Sequence, residues 1–390
     1  MPKRKVGVLT GGGDCPGLNS VIYGILLKAI KDGHSVIGIE KGWKGFLENR
    51  TRELKVNNFL DLHKVGGTCL YTSRTNPYKD AKKIKDPIKR DQAIKETAET
   101  MAKQFEVLGI DALITIGGDD TLGVAAAMHR YANANIIGVP KTIDNDLSNT
   151  DYTFGFWSAV QLASDTMDNI STTARSHQRI FVVQVMGRDA GWLTLVSGIS
   201  TGADIILIPE QPFDLEKDLI QVLLQRVRAG RNYHIIACSE GAVPSQESLR
   251  RDFKTISEEM IANLPKDDFG NPLLAKLSIS NILVKELEHR EDLKEAFKQE
   301  DAEYEVRDVI LGHTMRAGSP NAFDRILGLR LGIHAAKLID QGNFGQMVRL
   351  AGEFIETVPL GKGVKKKVIP PDSDLLEIRD LITEVKRITN

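Results

Sequence analysis

Cysteine is scarce in this chain: Cys15, Cys69 and Cys238 are scattered through 390 residues. An odd, unclustered set builds neither a disulfide framework nor a cysteine zinc site, and it suits a reduced, cytoplasmic compartment. A surplus of one charge is missing too. Lys+Arg is 51 and Asp+Glu is 52, a net charge of −1. Nucleic-acid binders and anionic-membrane binders are strongly basic, so this balance argues against both partners. It leaves room for a local cationic pocket for a small phosphorylated molecule. No run approaches the roughly 18 apolar residues of a membrane span, and the mean hydropathy is −0.19. The basic start, MPKRKVGVL, runs straight into a strand-like segment and lacks the apolar stretch of a secretory signal. There is no P-loop pattern, and the one early glycine cluster fails the dinucleotide spacing. No tandem repeat is visible, which excludes a solenoid.

What is present is a rhythm. The length suits two or three domains at roughly 100–200 residues each, and the 42% hydrophobic content can fill their cores. Short apolar runs lead into Gly- or Asp-rich loops and then into helical patterns. Val6–Thr10 precedes GGGDCPG, and apolar positions from Val21 to Ile30 recur at helical spacing. Further strands are expected at Ser35–Glu40, Ala112–Ile116, Asn135–Val139, Ile180–Val185, Asp204–Ile208, His234–Cys238 and Val309–Leu311, with helices at Gly123–Tyr131 and Leu215–Val227. Unalternating β-branched runs suit strands covered on both faces. Alternation with helices implies an α/β fold with a parallel sheet, whose ligands bind in the loops after the strands. Asn76–Lys95, rich in lysine, and Lys365–Lys367 read as solvated surface. The apolar positions Leu375, Ile378, Leu381, Ile382, Val385 and Ile388 form one face of a C-terminal helix, which should dock on the body or on a neighbouring subunit.

The loops carry chemistry. A strand, a glycine turn at Gly11–Gly13 and a helix together offer exposed N–H groups and a positive helix end to a phosphate. A tight turn needing positive φ would use the same glycines. GGDDTLG repeats the device with Asp119 and Asp120. Carboxylates beside a phosphate site repel it unless Mg²⁺ bridges them, although either Asp could simply cap the helix. PKTIDND supplies Lys141, Thr142, Asp144 and Asp146: a cation for a leaving phosphate and an acceptor for a hydroxyl proton. Arg179, Arg188, Glu240, His313 and Arg316 add phosphate forks and a sugar-hydroxyl acceptor. Singly these would read as structural, and Met186 as core. Together they point to phosphoryl transfer onto a phosphorylated hydroxyl compound.

GVLTGGGDCPGLN, GGTCLYTSR, GGDDTLG, PKTIDND, SHQRI, VMGRDAGW, LIPE, CSEG and LGHTMRAGSPNAFDR resemble the phosphofructokinase family in order and spacing, from about Gly7 to Gly332. The resemblance implies two similar Rossmann-like three-layer α/β domains with mostly parallel sheets and the active site between them. It places a donor domain at 1–150 plus about 315–365, and a sugar-phosphate domain at about 151–314 plus the C-terminal helix. It also implies Mg²⁺, phosphorylation of fructose 6-phosphate at its 1-hydroxyl, and a homodimer or homotetramer. By motif, Gly13 and Arg74 would contact the donor and Asp119 would hold Mg²⁺. Asp144 would be the general base, with Thr142 and Asp146 beside it. Met186, Gly187, Arg188 and Glu240 would bind the sugar. Arg179, Arg307, His313 and Arg316 would grip the 6-phosphate, with Arg179 and Arg307 supplied by a neighbouring subunit.

The donor turns on two positions. ATP-using bacterial members resemble GGDG followed by PGTIDND, where this chain has Asp120 and Lys141. That pair resembles the diphosphate-dependent branch. The Asp120 side chain fills and charges the space of a nucleotide's α-phosphate, and Lys141 neutralises a bare diphosphate. An ATP-dependent enzyme tolerating Asp120 is the alternative, and a silent phosphosugar-binding regulatory subunit is a third reading. Tyr23 and Leu27 stand where bacterial ATP-dependent members carry effector-binding arginines, which implies an enzyme without nucleotide allostery. Ala317 replaces a glycine of the sugar-loop motif.

Overall fold

The computed structural model describes residues 3–257, 259–260, 263–265, 277, 279–363 and 365–388. The chain forms two compact units. Unit 1 is Met1–Ala159 with Arg316–Lys367, and unit 2 is Val160–Met315 with Val368–Asn390. Counting helices of eight residues or more, the first passage through unit 1 gives β1 (Lys5–Thr10), α1 (Leu18–Lys31), β2 (Ser35–Ile39), β3 (Thr51–Glu53), α2 (Pro87–Ala102), β4 (Ala112–Gly117), α3 (Asp119–Ala132) and β5 (Ile136–Pro140). Then come α4 (Phe156–His177), β6 (Ile180–Val185), α5 (Trp192–Ser200), β7 (Ile205–Leu207), α6 (Gln221–Arg228), β8 (His234–Ser239), α7 (Ile279–Glu288), α8 (Glu291–Gln299) and β9 (Val306–Ile310). The chain returns to unit 1 with α9 (Ala322–Gln341), β10 (Gln346–Ala351) and β11 (Phe354–Pro359), and α10 (Asp374–Ile388) belongs to unit 2.

Unit 1 holds a seven-stranded sheet in the order β11-β10-β5-β4-β1-β2-β3, parallel except for the edge strands β3 and β11. Its central strand β4, ALITIG, is buried at every residue, as expected where helices cover both faces. Helices α1 and α9 meet backbone to backbone. A Cβ on Gly332 would lie 2.2 Å from the Val21 carbonyl oxygen, and one on Gly24 would lie 2.5 Å from that of Leu329. Asn321 caps α9 by accepting from the Asp324 N–H at 2.9 Å. Asp324 is itself fully buried and accepts from the Ser158 N–H at 2.7 Å and its hydroxyl at 2.6 Å.

Unit 2 holds a four-stranded, wholly parallel sheet in the order β7-β8-β6-β9. Strand β8, HIIACS, is buried throughout. Beside β7, the buried Asp204 pairs with Arg226 of α6 at 2.7 Å and accepts from the Ile235 N–H of β8 at 2.8 Å. A buried charge survives only when paired in this way, and here it ties two strands to a helix.

The expected strands are present, with β9 beginning earlier, at Val306. The expected helix at Leu215–Val227 is a π-helical turn, Leu215–Ile220, running into α6. The β10–β11 hairpin and β3 were not foreseen. Two surface readings need correction. Lys367 is half-buried: its Nζ donates to the Thr150 and Asp151 carbonyls at 3.2 and 2.7 Å, pinning the loop after Asp146. On α10 the docked side centres on Leu376, 5% exposed, while Ile378 and Leu381 are exposed at 39% and 50%. The side chains of Val385 and Ile388 lie outside the described residues.

Candidate active site

Parallel pairing delivers the unit 1 loops to one sheet edge. Thr10 of β1 registers with Ile116 of β4, and Ile116 with Val139 of β5. The loops at Gly11, Gly118 and Lys141 therefore start side by side at the carboxyl ends of the strands, where open α/β sheets bind ligands.

Gly12 has φ +80°, a left-handed conformation that suits glycine. Its neighbours need glycine for another reason. A Cβ on Gly11 would sit 2.5 Å from the Thr121 hydroxyl, and one on Gly13 would sit 2.7 Å from Arg316 Nη1. The Lys141 ammonium donates to the Gly13 carbonyl. Lys141 is 4% exposed. Burial holds its pKa below the ordinary lysine value; Arg316 acts in the same direction, and Cys15, Asp14 and Asp144 oppose it. Arg316 Nη1 donates to the Asp14 carbonyl at 3.3 Å, and its Nε is buried with no hydrogen-bond partner. A lysine and an arginine thus converge on a turn of backbone, with one guanidinium donor unsatisfied. That arrangement suits an anion.

Two segments frame this turn. The Ser73 carbonyl accepts from the Gly12 N–H at 3.0 Å, and the Thr72 hydroxyl donates to the Gly12 carbonyl at 2.6 Å, so Arg74 departs from the rim of the glycine loop. In the other segment, the Asp144 N–H donates to the Thr142 hydroxyl at 3.1 Å, and Thr153 donates to the Thr142 carbonyl at 2.7 Å. Asn145, at φ +50°, turns the chain between Asp144 and Asp146.

Burial pushes the Asp146 carboxyl pKa up; a Thr142 hydrogen bond opposes this, and the charge of Asp119 adds to it. Two neighbouring carboxylates suit a hard divalent cation, which prefers oxygen ligands. Asp119 and Asp120 open α3, where negative charge is favourable. The Asp120 carboxylate accepts from Asn76 Nδ2 at 2.9 Å and from Lys82 Nζ at 2.7 Å. Neither partner stood out in the sequence, since both lie in the stretch read as solvated.

Among the described residues one group of three potential metal ligands stands away from these loops: Asp32, His34 and Asp340. His34 Nδ1 accepts from the Arg4 N–H at 3.1 Å. That nitrogen is therefore occupied by the backbone, and Nε2 lies 3.6 Å from Asp340.

In unit 2, Val185 of β6 registers with Ser239 of β8, and Gln184 with Ile310 of β9. Met186–Arg188, Glu240 and the Gly312–Arg316 turn therefore leave one sheet edge together. Gly187 has φ +130°, its carbonyl accepts from the Ser239 hydroxyl, and a Cβ there would meet the Ala190 carbonyl oxygen at 2.6 Å. Arg188 is largely exposed and paired with Asp189 at 3.1 Å; His313 is exposed in its turn. Arg179 and Arg307 lie elsewhere. Ile180 registers with Val306 and Phe181 with Arg307, at the opposite end of the strands. At about 3.3 Å per residue they are roughly 20 Å from Met186 along β6. Both arginines pair with Glu305, an unforeseen partner. One chain thus separates Arg179 and Arg307 from His313. Arg316 lies with the unit 1 glycine loop.

A model of the phosphofructokinase family matches residues 5–339. The chain belongs to the phosphofructokinase family. A relative from Streptomyces coelicolor named pyrophosphate–fructose 6-phosphate 1-phosphotransferase is 42% identical over 94% of this chain and 96% of its own. Another phosphofructokinase of that organism, named ATP-dependent 6-phosphofructokinase 2, is 40% identical over 94% of this chain and 97% of its own. Overall similarity therefore places the chain in the family and leaves the donor to individual residues. The crystal structure of the Pichia pastoris phosphofructokinase in the T-state superposes with a TM-score of 0.69 at 28% identity, covering 99% of this chain and 37% of that longer one. No helix among the described residues is long and apolar enough to cross a membrane.

Proposed function

We propose that this phosphotransferase moves a phosphoryl group reversibly from diphosphate to the 1-hydroxyl of fructose 6-phosphate, with Mg²⁺ and without nucleotide allostery. The products are fructose 1,6-bisphosphate and phosphate. The observation that carries the donor assignment is the presence together of Asp120 at the start of α3 and Lys141 buried against the glycine turn. A nucleotide's additional phosphate would meet the Asp120 carboxylate. A bare diphosphate would instead gain the cations Lys141 and Arg74 and the backbone at Gly13.

The chemistry assigned to the remaining residues follows their types. Asp144 takes the proton of the 1-hydroxyl as the oxygen forms its bond to phosphorus, and the bridging P–O bond breaks to release phosphate. Thr142, which hydrogen-bonds the Asp144 N–H, holds that loop, and Asp146 shares its turn. Asp119, with Asp146 beside it, would hold Mg²⁺, which supplies neutralisation of phosphate charge when bound. Met186, Gly187, Arg188 and Glu240 bind the sugar, with His313, Arg316, Arg179 and Arg307 for its 6-phosphate. The separation of Arg179 and Arg307 from His313 within one chain favours their supply by a second copy in a homodimer or homotetramer. The family and the charge balance are consistent with a cytoplasmic enzyme.

Initial rates with diphosphate and with ATP, each with fructose 6-phosphate and Mg²⁺, test the reading. Turnover with diphosphate and little with ATP is expected. A preference for ATP would keep the family and overturn the donor, and no turnover with either would favour the silent regulatory subunit.

A further inference from the structure

Asp120 does not stand alone at the start of α3. Its Oδ1 takes two donors, Asn76 Nδ2 at 2.9 Å and Lys82 Nζ at 2.7 Å. Both come from one segment, 44 and 38 positions earlier in the chain. As a stabilising device this is poor. The Lys82 and Asp120 side chains are 55% and 69% exposed, and exposed ion pairs contribute little to stability. Yet the two donors are aimed with some care. Asn76 is fixed because its Oδ1 accepts from the Tyr78 N–H at 2.9 Å. Tyr78 and Ala81, 3% and 8% exposed, anchor the short helical turn Lys79–Lys82 in the unit 1 core. Upstream, Thr72 and Ser73 are tied to Gly12. The segment is thus held at one end by the glycine loop and in the middle by the core. Asn76 and Lys82 are left facing one carboxylate oxygen.

We propose that Asn76 and Lys82 are positioning residues for donor choice, clamping the Asp120 carboxylate in place so that a larger donor cannot displace it. The proposal rests on the diphosphate reading above. A free aspartate could rotate aside and admit another phosphate. With Oδ1 held by two donors, rotation breaks two hydrogen bonds to an ionised carboxylate together.

The test is a coupling measurement on the full enzyme. The discrimination ratio, kcat/KM with diphosphate over kcat/KM with ATP, is measured for wild type, Lys82→Met, Asn76→Ala and Lys82→Arg, and for Lys82→Met in an Asp120→Gly background. Lys82→Met and Asn76→Ala should each lower the ratio about fivefold, the effect of a coupling of about 1 kcal/mol. The KM for fructose 6-phosphate should not move. Lys82→Arg should restore most of the ratio, and Lys82→Met should leave it unchanged once Asp120 is gone. Ratios within twofold of wild type for both variants overturn the clamp while leaving the diphosphate reading intact. An effect of undiminished size without Asp120 also overturns it, since Lys82 would then act on the donor directly. A wild-type preference for ATP overturns the donor reading, and the clamp's role with it. Because Lys82 is exposed and Asn76 is replaced independently, loss of folding in one variant does not silence the other.

Discussion

The Lys141 ammonium donates to the carbonyl of Gly13, with the Arg316 guanidinium 2.7 Å from where a Gly13 Cβ would stand. Two cations therefore share one backbone turn with little water around them. Electrostatics of this kind are strong because the surroundings are dry. Lys141→Met should lower kcat with diphosphate roughly a hundred- to a thousand-fold. Steady-state kinetics with diphosphate varied checks this, and a loss below tenfold would remove Lys141 from the chemistry.

Asp120 is exposed, so its replacement costs the fold little. Asp120→Gly should therefore raise ATP-supported turnover and lower diphosphate-supported turnover, with only a small loss of thermal stability. Adding Lys141→Gly should strengthen the switch. Unmoved donor preference in the double variant would show that size and charge at these positions do not select the donor.

Asp144→Ser keeps a polar side chain in the Thr142–Asp146 loop but removes the proton acceptor. Turnover should fall roughly a hundred- to ten-thousand-fold, the usual contribution of a general base. Binding of fructose 6-phosphate, read by calorimetry, should persist. Near-normal turnover would place the base elsewhere.

Burial pushes the Asp324 carboxyl from 3.8 to about 6, against the hydrogen bonds it accepts from Ser158. Its folded pKa lies above its unfolded one, so the folded state holds the proton more tightly. This group's contribution to stability is full below about pH 4 and is lost as pH rises through 6. That difference in pKa corresponds to about 3 kcal/mol. Asp324→Asn cannot titrate, so its melting temperature should vary less than that of wild type between pH 4 and 7. Parallel pH profiles for the two proteins would show that Asp324 does not titrate there.

Much of this was legible in the chain because central parallel strands are short, β-branched and unalternating; β1, β4, β5, β6 and β8 announced themselves that way. The β10–β11 hairpin did not. QMVRLA and FIETVP mix polar and apolar residues because β11 is a half-exposed edge, so neither reads as a buried strand. The donor-side residues were readable where the loop itself carried the chemistry, as at Asp119–Asp120 and Lys141–Asp146. Their partners were hidden for a physical reason. Lys82 is one lysine among many in an exposed stretch, and only the burial of Tyr78 and Ala81 decides that it meets Asp120. Lys367 was misread for the same reason: its place depends on a loop more than 200 positions away.

The interleaving of the two units also bears on how the protein is made. Unit 1 lacks α9, β10 and β11 until residues up to Lys367 have been synthesised, and unit 2 lacks α10 until later still. Helix α1 finds its close-packed partner α9 only some 300 residues later in the chain. A nascent chain stopped anywhere before that point exposes the apolar faces of α1 and β5. Its passage through synthesis should therefore depend on chaperones that shield those surfaces until α9 and β10 arrive.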